Sequence, residues 1–321
     1  MSSNKKKKKA AFSVICIGFL LSTCFLCGCN SLVHEGRWGI YALNLDTDIV
    51  KLVYSSEYKI ETVRLNEQGS RFVFTQMVDG IENENFEICS LSVDGSDFQR
   101  LTNNSEWDLY PAWSPDGSQI AFLSFRRGNL DIFTMDASGG NESLLFDSGG
   151  HDADIHWMGD SIVFTANSSI WIMDEDGGNA VKVTNPPRAG QWGNANLPFG
   201  DYDPMLSSDA SLIAFERLED DSSPHGNYNI FVIGVDGSNE TRLTSSNYSQ
   251  GFPTWSHDDS RLAFLVSAIG ESGVYDLYLM KANGSDVHSI TPKYFPDDFL
   301  CYAPSFSLDD RIVYFVGEWW E

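Results

Sequence analysis

The densest grouping of residues able to do chemistry is His151-Asp152-Ala153-Asp154-Ile155-His156, with two imidazoles and two carboxylates. Oxygen-rich ligand sets favour Ca2+ or Mg2+, and imidazole brings in transition metals. On an extended segment alternate residues point to opposite sides, so His151, Asp152, Asp154 and His156 need not converge on one ion. Solvated loop residues are the plainer reading. No cofactor is then expected, with Ca2+ or another divalent cation as the alternative. Similar carboxylates recur along the chain: Asp108 with Trp107 and Tyr110 beside it, and Asp201 and Asp203 flanking Tyr202, with Trp192 upstream. Carboxylates interleaved with aromatics suit a cationic peptide, or a sugar held by stacking and hydrogen bonds. Nucleophilic catalysis lacks its signature, because no Gly-x-Ser-x-Gly elbow occurs. Walker and Rossmann glycine patterns are absent as well.

These residues are placed by a repeat. Its clearest copy runs Pro111-Ala112-Trp113-Ser114-Pro115-Asp116-Gly117, then Ile120-Ala121-Phe122, then Asp131-Ile132-Phe133. An apolar run, a tight turn, a second apolar run and a third strand are the grammar of an antiparallel meander. Leu65, Trp113, Trp157, Leu206, Trp255 and Phe306 occupy one position in six copies, spaced by 44 to 51 residues. The third strand also has six copies, but one of them, Gly39-Ile40-Tyr41, precedes every first strand. The sequence therefore opens with strands three and four of a unit and closes with strands one and two. A linear stack gains nothing from such a split, whereas a closed ring hides both edges. The expectation is all-β: a six-bladed propeller of four-stranded antiparallel blades over residues 38–321, with the N-terminal strands completing the last blade. The Trp113-type residues are then read as packing between blades.

Within each unit, turns one-two and three-four share a face and are short and constant. Loops two-three and four-one share the other face and vary widely, from Arg126-Arg127-Gly128 to the long stretch 185–203. Variation confined to one face of a repeat marks a binding face. Trp107, Asp108, Tyr110, Asp152, Asp154, Trp192, Asp201, Tyr202 and Asp203 are the binding candidates there. Asp108, Asp154 and Asp203 are expected to ring the mouth of the central channel.

Composition narrows the partners. The formal net charge is −24, and five of the 21 basic residues are Lys5 to Lys9, so the remainder is more acidic still. Such a surface repels phosphate backbones, which argues against nucleic acid; a heavily solvated exterior is its plainer reading, and attraction for cations or basic partners the sharper alternative. Lys5 to Lys9 and the apolar run Ala10 to Leu26 have the layout of a targeting segment. Leu26-Cys27-Gly28-Cys29 resembles the lipobox of prokaryotic lipoproteins, in which the matching cysteine, here Cys29, is lipidated. Residues 1–28 are thus expected as a signal peptide and 29–37 as a tether, with an uncleaved signal anchor as the alternative. Outside this leader only Cys89 and Cys301 remain, and buried thiols are the simpler reading of that pair.

The Pro-x-Trp-Ser-Pro-Asp-Gly signature, with Ile-Ala-Phe and Asp-Ile-Phe after it, resembles the TolB-type propeller repeat, also called WD40-like or PD40. The resemblance spans residues 38–321 and implies architecture more than function. TolB itself has a domain before its propeller for which the present sequence has no room, so a relative is expected and not TolB proper. The expected function is an extracytoplasmic lipoprotein, periplasmic or at the cell surface. Its monomeric, non-catalytic propeller binds a protein or cell-envelope polymer through the acidic, aromatic loop face. The alternative is a metal-dependent polysaccharide lyase or hydrolase, as oligogalacturonate lyases use a metal in a related propeller.

Overall fold

Each repeat becomes one four-stranded antiparallel sheet, and the described residues form six such sheets. The structure is a computed structural model that describes residues 36–78, 85–220, 226–246, 248–268, 275–296 and 299–319. The leader and Cys29 lie outside the described residues. Among the described residues no helix is long and apolar enough to cross a membrane.

Blades 1 to 5 follow the chain, with first strands Ile60–Leu65, Asp108–Trp113, Asp152–Met158, Asp201–Leu206 and Tyr248–Trp255. Blade 6 is composite. Phe299–Phe306 and Ile312–Trp319 supply its first two strands, and Trp38–Asn44 and Ile49–Ser56 supply the others. A continuous antiparallel ladder from Trp38–Glu318 to Asn44–Ile312 closes the ring. This is the closure expected from the displaced Gly39-Ile40-Tyr41 copy.

The core is distributed over the interfaces between blades. Phe72, Phe74, Val63 and Ile60 of blade 1 pack on Trp38, Ile40 and Tyr314 of blade 6. Trp113, Ile120 and Phe122 of blade 2 pack on Val73 and Ile88 of blade 1, and the other interfaces repeat the scheme. Phe74, Phe122, Phe164, Phe215 and Phe264, one from each second strand of blades 1 to 5, are all fully buried. Burying each such side chain contributes roughly 1.5–3 kcal/mol. Trp113, Trp157 and Trp255 are buried as well, and the Trp255 indole N–H donates to Met205 O of the preceding blade at 3.1 Å.

Two local devices fix how the blades sit. Gly95, Gly139 and Gly177 in the three-four turns have φ of 87, 86 and 82°. A Cβ at these positions would lie 2.3, 2.6 and 2.5 Å from the carbonyl oxygens of Val53, Leu101 and Leu145 in the preceding blade. Glycine is needed there both for its left-handed backbone and for this close approach. On the same face Asp259 accepts the N–H groups of Ser208 and Asp209, and Asp310 accepts those of His257 and Asp258. Each carboxylate thereby ties its blade to the one before. Cys89 and Cys301 are buried free thiols in different interfaces, and burial pushes the Cys89 thiol up to about 12.

Candidate functional site

Every first strand carries a β-bulge at one position. The residues there are Thr62, Tyr110, Asp154, Asp203, Phe252 and Ala303, all non-glycine with φ between 41 and 53°. Proline follows in four of the six, as Pro111, Pro204, Pro253 and Pro304. Proline cannot donate to a ladder and is tolerated at a bulge. The bulge turns these side chains toward the channel and frees their N–H groups from the ladder. Side chains of the preceding blade take up several of them. Thr75 Oγ1 accepts from Tyr110 N at 3.0 Å, Asp154 Oδ2 from Asp203 N at 3.3 Å, and Glu216 Oε2 from Phe252 N at 2.9 Å. A Cβ on Gly251 would stand 1.9 Å from Glu216 Oε2, so this carboxylate reaches its place only past a glycine.

The result is a narrow waist with about 10 Å³ of free volume, lined by Thr62, Arg64, Tyr110, Asp154 and Asp203 together with Pro111, Pro204 and Pro253. Burial raises the carboxyl pKa of Asp154, Asp203 and Glu216. Asp203 is pushed well up by burial and then by the charges of Asp154 and Glu216, while Glu216 reaches about 8. Arg64 opposes this at Asp154 and Asp203, and burial lowers its own pKa. Burial also drives His156, one step below, down to about 3, so it is neutral at physiological pH. Its Nδ1 accepts from Leu206 N at 3.1 Å. The waist is thus a desolvated cluster in which burial disfavours the charged form of its carboxyl groups.

Above the waist the channel opens into a cavity of about 480 Å³ between blades 6 and 1. Trp38, Tyr110, Phe252 and Tyr302 give it aromatic walls, and Arg37, Lys59, Glu61 and Glu318 give it a charged rim. Trp38 stacks on Tyr302 with centroids 5.9 Å apart. Glu318 is buried, accepts from Arg37 Nη2 at 2.8 Å and from the Tyr302 hydroxyl at 3.1 Å, and so fixes the wall. Lys59 pairs with Glu61. Both rim cations are therefore engaged with rim carboxylates.

The binding candidates read from sequence divide into three groups. Tyr110, Asp154 and Asp203 meet at the waist. Asp108, Asp152 and Asp201 share a different position two residues earlier and are buried within their blades. Asp108 pairs with Arg126 at 3.0 Å and accepts from Asn104 at 2.7 Å, and Arg217 clamps Asp201 through Nε at 2.6 Å and Nη2 at 2.9 Å. Asp108 therefore does not join Asp154 and Asp203 at the channel; Tyr110 is their counterpart in blade 2. Asp152 has no arginine like those of its counterparts, and burial lifts its carboxyl to about 6. Tyr202 is buried, its hydroxyl donating to Pro198 O at 2.6 Å. Trp107 and Trp192 remain on the surface, 42% and 71% exposed. His151 stacks on Phe125 and accepts from Leu130 N, away from His156. Among the described residues no group of three or more His, Cys, Asp or Glu is placed to hold a metal ion. Trp38, Lys59, Glu61, Arg64, Glu216 and Glu318 were not visible as site residues in the sequence. The bulge prolines were the signal that could have led to the inward ring.

Residues 33–187 match the family model PD40, the TolB beta propeller domain. A TolB homolog from Chlorobium luteolum is 28% identical over 189 residues, covering 57% of this chain and 38% of the relative. The Tol-Pal system protein TolB of Desulfosudis oleivorans is 32% identical over 100 residues, covering 31% and 22%. The chain thus spans well under two thirds of the length of these curated relatives. A solved structure assigned as TolB from Agrobacterium tumefaciens superposes with a TM-score of 0.67 at 19% identity, covering 89% of this chain and 99% of that one. Repeat, ring closure and superposition agree on a TolB-like β-propeller fold, with the PD40 match carried by residues 33–187.

Proposed function

We propose that this propeller is an extracytoplasmic, membrane-tethered platform that receives a segment of a polypeptide partner in the cavity at its channel mouth. The observation that carries the reading is that cavity: about 480 Å³, aromatic-walled, and held open by the Glu318 network. A pocket of this size with a few placed polar groups suits side chains of an inserted segment, and a preformed wall lowers the ordering cost of binding. Relatedness to Tol-Pal system proteins supports a protein partner. The Lys-rich start, the apolar run and the lipobox-like Cys29 support the tether. The raised carboxyls of the waist would suit acid catalysis, yet about 10 Å³ there admits roughly one water and no sugar ring. That favours binding over chemistry at this place.

A photo-crosslinking residue at Lys59, on the mouth, is expected to capture a discrete polypeptide in living cells. The same residue at Leu308, exposed on the opposite face, is expected to capture none. Absence of any polypeptide adduct at position 59 would overturn the reading. In the same cells fed a labelled fatty acid, Cys29→Ser should abolish labelling of the chain; label retained by this variant would remove Cys29 as the tether.

A further inference from the structure

The loop joining blades 3 and 4 is folded on its own account. Gly190 N donates to Phe199 O and Phe199 N donates to Gln191 O, both at 2.9 Å, which ties residues 190–199 into a compact Ω-shaped loop. Beneath it Ala195, Phe199, Tyr202 and Leu218 form a small core, with Tyr228 packed against it. The Arg188 guanidinium lies 3.4 Å from the Phe199 ring centroid and donates to Glu219 O at 3.1 Å. Phe199 and Ala195 are spent on holding the loop, while Trp192 at its tip stands 71% exposed and Leu197 beside it 43%.

The chemistry of the tip is unlike the rest of the surface. Residues 189–200 read Ala-Gly-Gln-Trp-Gly-Asn-Ala-Asn-Leu-Pro-Phe-Gly and contain no charged side chain, in a chain with 45 acidic residues. Gln191, Asn194 and Asn196 are exposed around the indole. We infer that this tip is a binding platform for a neutral polysaccharide, with Trp192 stacking on the apolar face of a sugar ring and the neighbouring amides meeting its hydroxyls. An indole on a rigid loop needs only a flat apolar partner, and a pyranose ring offers one edged by groups that both donate and accept. Side-chain amides do the same without charge, which matches neutral hydroxyls. An anionic polymer is repelled by a net charge of −24, and a cationic one finds its complement in carboxylates elsewhere and not in this uncharged tip. The loop lies between blades 3 and 4, whereas the mouth cavity is walled mainly by blades 6 and 1, so the two sites can be filled together.

Native gel electrophoresis through matrices containing laminarin, galactomannan or hydroxyethylcellulose tests this directly. At least one neutral glycan is expected to retard the full chain, with the retardation surviving about 0.5 M salt because no ion pair is involved. Trp192→Ala should weaken the interaction at least about tenfold, and Trp192→Phe should retain most of it. Thermal unfolding of both variants should match the parent, since the indole is exposed. No retardation by any of the three glycans, or equal retardation of Trp192→Ala, overturns the inference. Retardation only by anionic glycans such as polygalacturonate also overturns it. If Trp192→Ala instead abolishes the polypeptide adduct formed from position 59, the loop belongs to the protein interface and the glycan assignment falls. If the adduct persists while glycan binding is lost, both sites stand.

Discussion

Glu216 shows how one residue joins fold to electrostatics. The blade 5 bulge releases Phe252 N from the ladder, and Glu216 Oε2 takes it up in a site too dry to hold a second charge near Asp154 and Asp203. A carboxyl with a higher pKa folded than unfolded keeps a proton that the unfolded chain has released. Its stabilising contribution is present below the ordinary value of 4.5 and is lost as pH climbs through about 8. Asp154 and Asp203 are raised and act in the same direction. Lowered His156 acts oppositely, its contribution falling away as pH drops from 6.5 toward about 3. Between pH 6.5 and 9 Glu216 therefore contributes a falling slope. Urea unfolding over that range should show the parent losing on the order of 2 kcal/mol more than Glu216→Gln, whose amide oxygen still accepts from Phe252 N. Parallel losses in the two proteins would mean that Glu216 is ionised throughout. The sequence brought Asp154 and Asp203 into view but grouped them with Asp108, although Asp108 lies five residues before its aligned tryptophan and the other two lie three before the matching Trp157 and Leu206. A left-handed bulge at a non-glycine residue leaves no mark on hydrophobic periodicity, and in every blade it is the bulge residue, Tyr110 in blade 2, that takes the inward position. The four prolines after the bulge were the mark it did leave.

At the scale of strands and turns the sequence was far more legible, since each turn is local and repeated. Asp94-Gly95 and Asp176-Gly177 announce hairpins by composition alone. What composition cannot announce is the carbonyl of the preceding blade packed against each glycine, because that contact joins different repeats. Two glycines separate the effects. Gly128 has φ 90° with nothing within 4 Å of an added Cβ, whereas Gly177 has φ 82° and Leu145 O 2.5 Å away. Gly128→Ala should cost about 1 kcal/mol, the strain of a left-handed alanine. Gly177→Ala should cost on the order of 2–4 kcal/mol, because blades 2 and 3 must also move apart. Denaturant midpoints measure both, and equal costs would show that the blade contact relaxes freely. The same limit hid the mouth cavity. Arg37 and Glu318 lie 281 positions apart, and no local pattern predicts that they meet.

At the scale of the molecule, the ring is held by a ladder where the chain ends meet and by side-chain packing at the other seams. Any two successive blades within 1 to 5 are joined covalently, so the ring opens either by splitting blade 6 or by tearing the chain-linked interfaces. Splitting blade 6 breaks the ladder from Trp38–Glu318 to Asn44–Ile312 together with the Arg37–Glu318 pair. A circular permutant isolates this term. Linking Trp319 to Gly36 through a short glycine-rich connection and opening the chain between Glu57 and Tyr58 makes every blade a contiguous segment. The folded contacts are kept, since Trp38 already pairs with Glu318 and a few residues span the join. Now the free seam lies between blades 6 and 1, where Trp38, Ile40, Ile60, Phe72 and Tyr314 pack without a ladder across it. Side-chain packing can be lost in steps, whereas a ladder resists shear as a unit. The permutant should therefore unfold at least about tenfold faster by stopped-flow fluorescence while folding at a similar or higher rate, its longest-range contact having become local. An unchanged unfolding rate would place the ring's weakest joint elsewhere, and would leave the split blade without a role in holding the mouth in shape.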